Sequence, residues 1–209
     1  MEELNQDSQA IARLKQGDLT GLDDLLERYQ LRAVRTAYLI VLDRPLAEDI
    51  VQNAFVRLVR KINQFDDTRP FAPWFLRSVI NDALKAIRRE ARWVSFDVES
   101  TEEIAMLTKM LADPQPGPEE WAINAETCRE IWQALGCLPP EQRSVIVQRY
   151  YLGYSEAEMS AQLQRPRGTI KWLLHNARQR LRIRLAGLVQ PVATTSKFVS
   201  GSPEASHEE

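Results

Sequence analysis

Cysteine, histidine and long apolar runs are scarce in this chain. Its 209 residues include two cysteines and two histidines. Cys128 and Cys137 lack the paired Cys or His neighbours that a zinc site needs. We therefore expect both to lie on one helix and to pack in the protein core. No apolar run approaches the roughly 20 residues that span a bilayer. Since the acidic, polar N-terminus is also unlike a signal peptide, we expect a cytoplasmic protein.

Signatures of catalysis and of β-structure are missing as well. The sequence has no Gly-rich phosphate loop and no metal-spaced ligands, and neither His175 nor His207 has a credible catalytic partner. We therefore expect no enzyme activity, no catalytic residue, no metal and no cofactor. No segment alternates like a strand between hairpin signals, whereas helical periodicity recurs along the chain, which predicts an all-α fold.

Charge is unevenly distributed although the net charge is only −2 at pH 7. Residues 95–130 carry nine Asp or Glu against two Lys or Arg, and they contain the proline-rich stretch DPQPGPEE, which is typical of a linker. The Ser-, Thr- and Pro-rich end of the chain predicts disorder. The pattern thus predicts two helical domains at 1–94 and 120–187, a flexible acidic linker at 95–119 and a disordered tail at 188–209.

Residues 138–184 have the pattern of a helix-turn-helix. The opening LPPEQR predicts a helix from about Pro140, and Gly153 predicts its end. Ser155 and Glu158 have the spacing of a capping box that starts a second helix. We expect this short helix to bury a stripe formed by Ala157, Met159, Ala161 and Leu163. After QRPRG, a third helix begins near Pro166, in the position of a recognition helix.

This third helix is strongly basic. From Arg165 to Arg184 there are seven Lys or Arg and no Asp or Glu, which favours DNA phosphates as the partner. A solvated helix that merely packs its inner apolar face would not explain the absence of acids outside. We expect duplex contacts from residues at and after the leading end: Arg165, Arg167, Thr169, Lys171, Trp172, His175 and Arg178.

The sequence pattern of the N-terminal half predicts four helices and a second surface that binds nucleic acid. The segment KINQFDDTRPFAPW reads as a loop with three exposed aromatics, Phe65, Phe71 and Trp74, and a basic helix follows it. Aromatic rings beside cations suit single-stranded nucleic acid, because rings stack on unpaired bases while cations follow phosphates. Alternatively, Trp74 belongs to the core and Phe71 is a staple at the helix entry.

Three segments in this order resemble a known family. They are similar to the extracytoplasmic-function (ECF) class of bacterial RNA polymerase sigma factors. The segments are RPLAEDIVQNAFVRLVRKI, then FAPWFLRSVINDALKAIRRE, then LPPEQRSVIVQRYYLGYSEAEMSAQL with TIKWLLHNAR. The resemblance covers about residues 10–93 and 120–186. It implies an alternative sigma factor whose region 2 and region 4 domains bind core RNA polymerase, recognise two promoter elements and open the DNA.

The resemblance also implies roles for individual residues. It assigns polymerase binding to Glu48, Asp49, Gln52 and Phe55. It assigns the minus-ten element, including a flipped base, to the segment that holds Phe65, Phe71, Trp74, Arg77, Asn81, Lys85, Arg88 and Arg89. The third helix of the C-terminal part would read the minus-thirty-five element. Lys85 stands where the family usually has an acid, and Trp172, Leu173 and Asn176 replace small or basic residues, so promoter sequence does not transfer from relatives.

Partners and alternatives follow from this resemblance. The implied partners are core RNA polymerase, promoter DNA as duplex and melted strand, and an anti-sigma factor, with a monomer when free of them. The main alternative is a stand-alone helix-turn-helix regulator, which predicts a dimer on a pseudo-palindrome. That alternative explains the C-terminal part equally well but gives no reason for the basic, aromatic-bearing fourth helix.

Overall fold

The computed structural model describes residues 2–90 and 129–185, and every regular element in these two ranges is helical. The fold class predicted from the sequence is therefore confirmed for this part of the chain. The predicted linker at 95–119, the predicted tail at 188–209 and Cys128 lie outside the described residues.

Residues 2–90 form an N-terminal bundle. Its elements are α1 (Glu2–Lys15), α2 (Thr20–Val41), α3 (Arg44–Lys61), a 3₁₀ turn (Ile62–Gln64) and α4 (Phe71–Glu90). The Asp43 side chain caps α3 by accepting a 2.8 Å hydrogen bond from the Leu46 amide, and Pro45 occupies the first turn. Helices α1 and α2 cross closely at Gly21, where an added Cβ would collide with the carbonyl oxygen of Ala10.

The start of α4 differs from the sequence prediction. The sequence predicts a loop up to Trp74, but the chain is helical from Phe71. The helix accommodates Pro73 because this residue lies in the first turn, where a proline removes no helical hydrogen bond. Phe71 therefore points from a helix end into the bundle and is only 2% exposed. On the inner face of α3, Ile50, Ala54 and Leu58 are buried, whereas Leu46 is half-buried.

Residues 129–185 form a C-terminal unit. A helix at 129–136, α5, is followed by α6 (Pro140–Ile146), a π-helical turn (Val147–Tyr151), α7 (Glu156–Leu163) and α8 (Arg167–Leu185). The helix start at Pro140 and the capping box of Ser155 and Glu158 are confirmed. Hydrogen bonds from Ser155 to the Glu158 carboxylate hold the pKa of Glu158 below its usual value. Cys137 lies exposed in the turn after α5, so the expectation of a core position is wrong.

The two parts pack against each other through α6, α7 and α5. The rings of Tyr38 and Trp132, both buried, lie 4.5 Å apart between centroids. Gln162 Nε2 donates a 2.9 Å hydrogen bond to the carbonyl oxygen of Pro73. The face of α7 that carries Gln162 meets the N-terminal bundle, so Gln162 is buried. Ala161, which was predicted to be buried, is exposed, and the predicted stripe is wrong at this residue.

Candidate nucleic-acid interfaces

A groove between α2 and α3 is lined by three of the four residues expected to bind polymerase. It has a volume of about 720 Å³. Asp49 and Gln52 are exposed, and Arg44 donates a 2.8 Å hydrogen bond to Glu48. Phe55 is buried, so its ring forms part of the groove wall and is not a free anchor. Glu48, Gln52 and Phe55 line the groove, whereas Asp49 is exposed on α3 and does not line it.

Two apolar side chains in this groove escaped the sequence analysis. Leu31 and Val56 are 55% and 52% exposed and line opposite helices of the groove. Each lies outside the buried stripe of its helix, and an apolar residue in such a position is the signal that could have identified them. An exposed apolar pair rimmed by acid and amide groups is typical of a protein-docking surface.

Phe65 and Phe71 belong to the core, which corrects their predicted exposure. Their ring centroids lie 5.6 Å apart, and Phe71 stacks on Phe75 at 5.7 Å. Tyr29 approaches Phe71 edge-on at 5.1 Å. Because these rings satisfy one another inside the bundle, neither Phe65 nor Phe71 offers a face to an unpaired base.

A basic cavity of about 320 Å³ lies beside this cluster. Trp74 is half-buried and forms one wall, next to Phe75, Ser78 and Asn81. Its cationic lining comes from Arg57, Lys61 and Arg77, and the first of these forms an ion pair with Asp82. Among the described residues, Lys61 and Arg77 form no ion pair. An aromatic wall, two available cations and amide groups suit a nucleobase with its phosphate.

The C-terminal half of α4 faces the C-terminal unit. Here Asn81, Lys85 and Arg88 line an interdomain cleft of about 170 Å³. Arg88 Nη2 lies 2.7 Å from Glu141 Oε1, and Arg165 Nη2 lies 2.8 Å from the same oxygen. Arg89 is exposed. Arg165 therefore turns toward the N-terminal bundle and away from the leading end of α8.

Helices α7 and α8 meet in the geometry of a helix-turn-helix. Gln164 ends α7 with a left-handed backbone (φ 52°), and Ser160 Oγ donates a 2.6 Å hydrogen bond to the carbonyl oxygen of Arg165. Ile170 and Leu174 are fully buried and fix the inner face of α8. This arrangement leaves the leading end of α8 open to a ligand.

The exposed face of α8 presents the predicted duplex-binding residues. Trp172 is 61% exposed, which excludes packing of its ring in the described core. The other exposed side chains on this face are Arg167, Lys171, His175 and Arg178, with Thr169 half-buried. Lys171 Nζ lies 3.9 Å from Glu156 Oε2, a distance that leaves the ammonium available. These side chains can reach base edges and phosphates together.

Arg149 and Tyr150 were missed by the sequence analysis. Arg149 and the leading end of α8 line a concave surface of about 510 Å³, and its Nη1 donates a 3.0 Å hydrogen bond to the carbonyl oxygen of Tyr154. Tyr150 is 65% exposed. Both follow the buried run of α6, and the π-helical turn brings them to the surface. Arg149 is a single basic residue outside the recognition helix, so the sequence contains no charge pattern that predicts its position beside α8.

Family comparisons agree with both halves of this arrangement. The family model described as "Sigma-70 region 2" matches residues 25–93, and the model described as "Sigma-70, region 4" matches residues 128–181. The ECF RNA polymerase sigma factor SigW of Bacillus subtilis is 31% identical over 180 residues, covering 85% of this chain and 96% of that protein. The ECF RNA polymerase sigma-E factor of Escherichia coli K12 is 25% identical, covering 91% of this chain and all of that protein.

Solved structures show the same fold. CnrH, in complex with the cytosolic domain of CnrY, matches with a TM-score of 0.58 at 23% identity, covering 87% of this chain and 98% of that one. RpoE from Bartonella quintana, in a co-crystal with the anti-sigma factor NepR, matches with a TM-score of 0.56 at 20% identity, covering 83% and 98%.

These matches extend through both helical units and cover nearly the full length of SigW. The chain belongs to the extracytoplasmic-function class of RNA polymerase sigma factors. A stand-alone helix-turn-helix regulator is accordingly not favoured, because region 2 has no place in it. Within residues 2–90 and 129–185, no helix is long and apolar enough to cross a membrane, and no cluster of three metal-ligating side chains occurs.

Proposed function

We propose that this sigma factor binds core RNA polymerase through the α2–α3 groove, holds the melted minus-ten strand in the basic cavity and reads the minus-thirty-five duplex with α8. One observation carries the proposal: two basic surfaces of different chemistry lie on separate helical units. The cavity combines an aromatic wall with cations, as single strands require, whereas α8 presents cations and polar groups on a helix face.

The polymerase contact follows from the polarity of the groove. Leu31 and Val56 supply exposed apolar area in its lining, and Glu48 and Gln52 supply polar groups. Interfaces of this kind depend on a small apolar centre surrounded by polar contacts. We assign the polymerase-binding role to this whole surface, including Glu48 and the Phe55 ring in its wall.

For the minus-ten element, the burial pattern narrows the set of DNA contacts. Trp74, Arg77 and Asn81 line the cavity and remain candidates for the flipped base and its phosphates. Lys85, Arg88 and Arg89 continue along the same helix as phosphate contacts. Phe65 and Phe71 support the cavity from the core instead. Flipping a base costs a few kcal/mol, which stacking and a shaped pocket offset.

At the minus-thirty-five element, Arg167, Thr169 and Lys171 approach base edges, because the leading end of a recognition helix enters the major groove. Trp172, His175 and Arg178 lie further along the exposed face and contact sugar or phosphate. Arg149 adds a phosphate contact from outside the helix. Arg165 joins them only after it leaves Glu141.

The remaining properties follow from this role. The chain itself performs no chemistry, since polymerase forms the phosphodiester bond, and it works in the cytoplasm as a monomer between partners. CnrH and RpoE were each solved with a bound partner, NepR being an anti-sigma factor, and we propose that this chain is also held by one. Light scattering tests the monomer: a dimer on palindromic DNA would support the stand-alone regulator instead.

Asp49→Ala tests the exposed face of α3 beside Glu48 as part of the polymerase contact. We expect weaker binding to core polymerase with an unchanged melting temperature, because an exposed charge off the apolar stripe contributes little to stability. Competition against a labelled second sigma factor for limiting core enzyme gives the relative affinity. Asp23→Asn, an exposed acid in the first turn of α2, is the charge-matched control and should compete like the wild type. Equal competition by both variants would remove Asp49 from the interface.

A further inference from the structure

A single acid lies in the surface proposed to bind the upstream duplex. Glu156 borders the concave surface of about 510 Å³ beside α8, where the charged residues around it are Arg149, Arg167 and Lys171. Among the described residues that line this surface, Glu156 is the one acid. A carboxylate here opposes the approach of DNA phosphates, because like charges repel. Its position beside a recognition helix therefore needs a physical reason.

Helix capping does not supply that reason. Glu156 is the first residue of α7, but the capping box of this helix is formed by Ser155 and Glu158. The Glu158 carboxylate accepts hydrogen bonds from the Ser155 amide at 2.7 Å and from its hydroxyl at 2.6 Å. Glu156 adds only a modest interaction with the helix dipole. The start of α7 is thus already stabilised without its carboxylate.

Lys171 is the ionic neighbour of Glu156. Its Nζ lies 3.9 Å from Glu156 Oε2, which is too long for a hydrogen bond, and the side chains are 68% and 36% exposed. The ammonium has three donors and the carboxylate has two acceptor oxygens, so this contact leaves both groups able to bind a ligand. The two residues therefore place a donor and an acceptor side by side on the concave surface.

A G·C base pair carries the complementary groups in the major groove. Guanine offers the O6 and N7 acceptors, and cytosine offers the N4 amino donor. Guanine O6 and cytosine N4 are adjacent, because they are hydrogen-bonded to each other within the pair. An A·T pair fits less well, since the carboxylate would meet the N7 acceptor of adenine and the ammonium would meet the thymine methyl group.

We propose that Glu156 and Lys171 together recognise one G·C base pair of the upstream promoter element. Lys171 donates to the acceptors of guanine, and the Glu156 carboxylate accepts from the N4 amino group of cytosine. Glu156 is thereby a specificity-determining residue supplied by the first helix of the helix-turn-helix. This inference deepens the proposed function and rests on it, since it assumes that α8 enters the major groove.

This base pair differs from the one assigned to Arg167. Arg167 and Lys171 are four residues apart, which is about 6 Å along a helix. That distance exceeds the roughly 3.4 Å between successive base pairs. Loss of the Glu156 contact should therefore relax preference at a position of the upstream element that Arg167→Ala leaves unchanged.

Glu156→Ala tests the contact in reconstituted holoenzyme. The probes are the promoter that the wild-type holoenzyme selects from a randomised library and versions of it with each of the four base pairs at each upstream position. We expect the wild type to prefer G·C at one position by about fivefold or more, and the variant by less than about twofold. On promoters without that pair, the variant should bind at least as tightly as the wild type, because a charge that repels phosphates is gone.

Glu156→Gln keeps the size of the side chain and removes its charge. Glutamine pairs with N6 and N7 of adenine, so this variant should gain affinity for adenine in place of cytosine at the same position. Lys171→Ala should lose preference there as well, and combining it with Glu156→Ala should add little further loss, since both side chains act on one base pair. Asp23→Asn, an exposed acid of α2, removes an equal charge and should leave every preference unchanged.

Three results would overturn the proposal. Glu156→Ala could keep the wild-type preference at every upstream position. It could bind all promoters more tightly by the same factor, which would show that the carboxylate only repels phosphates. It could also bind all promoters more weakly by the same factor with a lower melting temperature, which would assign Glu156 to the start of α7.

Failure of the proposed function has a different signature. A wild-type holoenzyme that selects no upstream element contradicts the role of α8, and this inference with it. A holoenzyme that selects such an element, but with the same preferences in Glu156→Ala and in the wild type, contradicts only the role of Glu156.

Discussion

Replacing Phe71 with alanine is expected to lower the free energy of unfolding by about 3–5 kcal/mol, the usual effect of removing a buried aromatic ring. The ring is 2% exposed and contacts Phe65, Phe75 and Tyr29 in one aromatic cluster. Its removal leaves a cavity that the surrounding rings cannot fill without leaving their own contacts. Urea denaturation followed by circular dichroism measures the change.

Trp74→Ala is the matched comparison for Phe71→Ala. Trp74 is half-buried and forms the wall of the basic cavity, so we expect a smaller loss of stability and a larger loss of promoter opening. Opening can be followed by permanganate reactivity of unpaired thymines in the holoenzyme complex. A Phe71→Ala protein that keeps its stability but fails to open DNA would contradict the core assignment of that ring.

Arg167→Ala is expected to have the largest effect on promoter sequence preference. Arg167 is exposed at the first residue of α8 and lines the concave surface beside Arg149 and Lys171. A bidentate contact of arginine with a base contributes about 1–3 kcal/mol of discrimination. We therefore expect relaxed preference at one position of the upstream element, measured by holoenzyme binding to a set of single-base promoter variants.

Two further substitutions distinguish a base contact of Arg167 from a phosphate contact. Arg167→Lys keeps the charge but loses the planar donor fork, so it should lose preference at the same position. Arg182→Ala removes an exposed cation from the last turn of the same helix and should weaken binding uniformly across sequences. A uniform loss for Arg167→Ala as well would make Arg167 a phosphate contact.

Local signals explain which parts of the fold the sequence predicts well. The starts of α6 and α7 depend on Pro140, on Ser155 and on Glu158, and the physical cause of each start lies within a few residues. The end at Gly153 is similar, since its φ of +75° favours glycine. The basic, acid-free α8 is also visible in the sequence, because its charge does not depend on what it packs against.

Burial, in contrast, depends on partners distant in the chain. The sequence predicts Phe71 as an exposed aromatic residue of a loop, whereas in the structure its ring packs against Tyr29 and Phe75. Gln162 is polar and should be exposed by its residue type, yet it is buried because α7 packs against the start of α4. Cys137 shows the reverse, since α5 ends just before it and the turn exposes its side chain. Periodicity alone cannot supply these tertiary contacts.

The packing of the two units against each other was not predictable from the sequence. Arg88 and Glu141 are 53 residues apart, and each reads as an ordinary surface charge on its own helix. Only the structure shows that Arg165, predicted as a duplex contact, shares the Glu141 carboxylate with Arg88. The likeness to other sigma factors identifies the two units as region 2 and region 4.

Transcription by purified core RNA polymerase on a randomised promoter library measures whether this chain directs initiation at two promoter elements. We predict transcripts that require this chain, from templates that share an upstream and a downstream element at one fixed spacing. Arg167→Ala should change only the upstream element, and Trp74→Ala should reduce open complexes on every template. Transcription no higher than with core enzyme alone, or selection of a single palindromic element, would show that the chain does not direct initiation at two promoter elements.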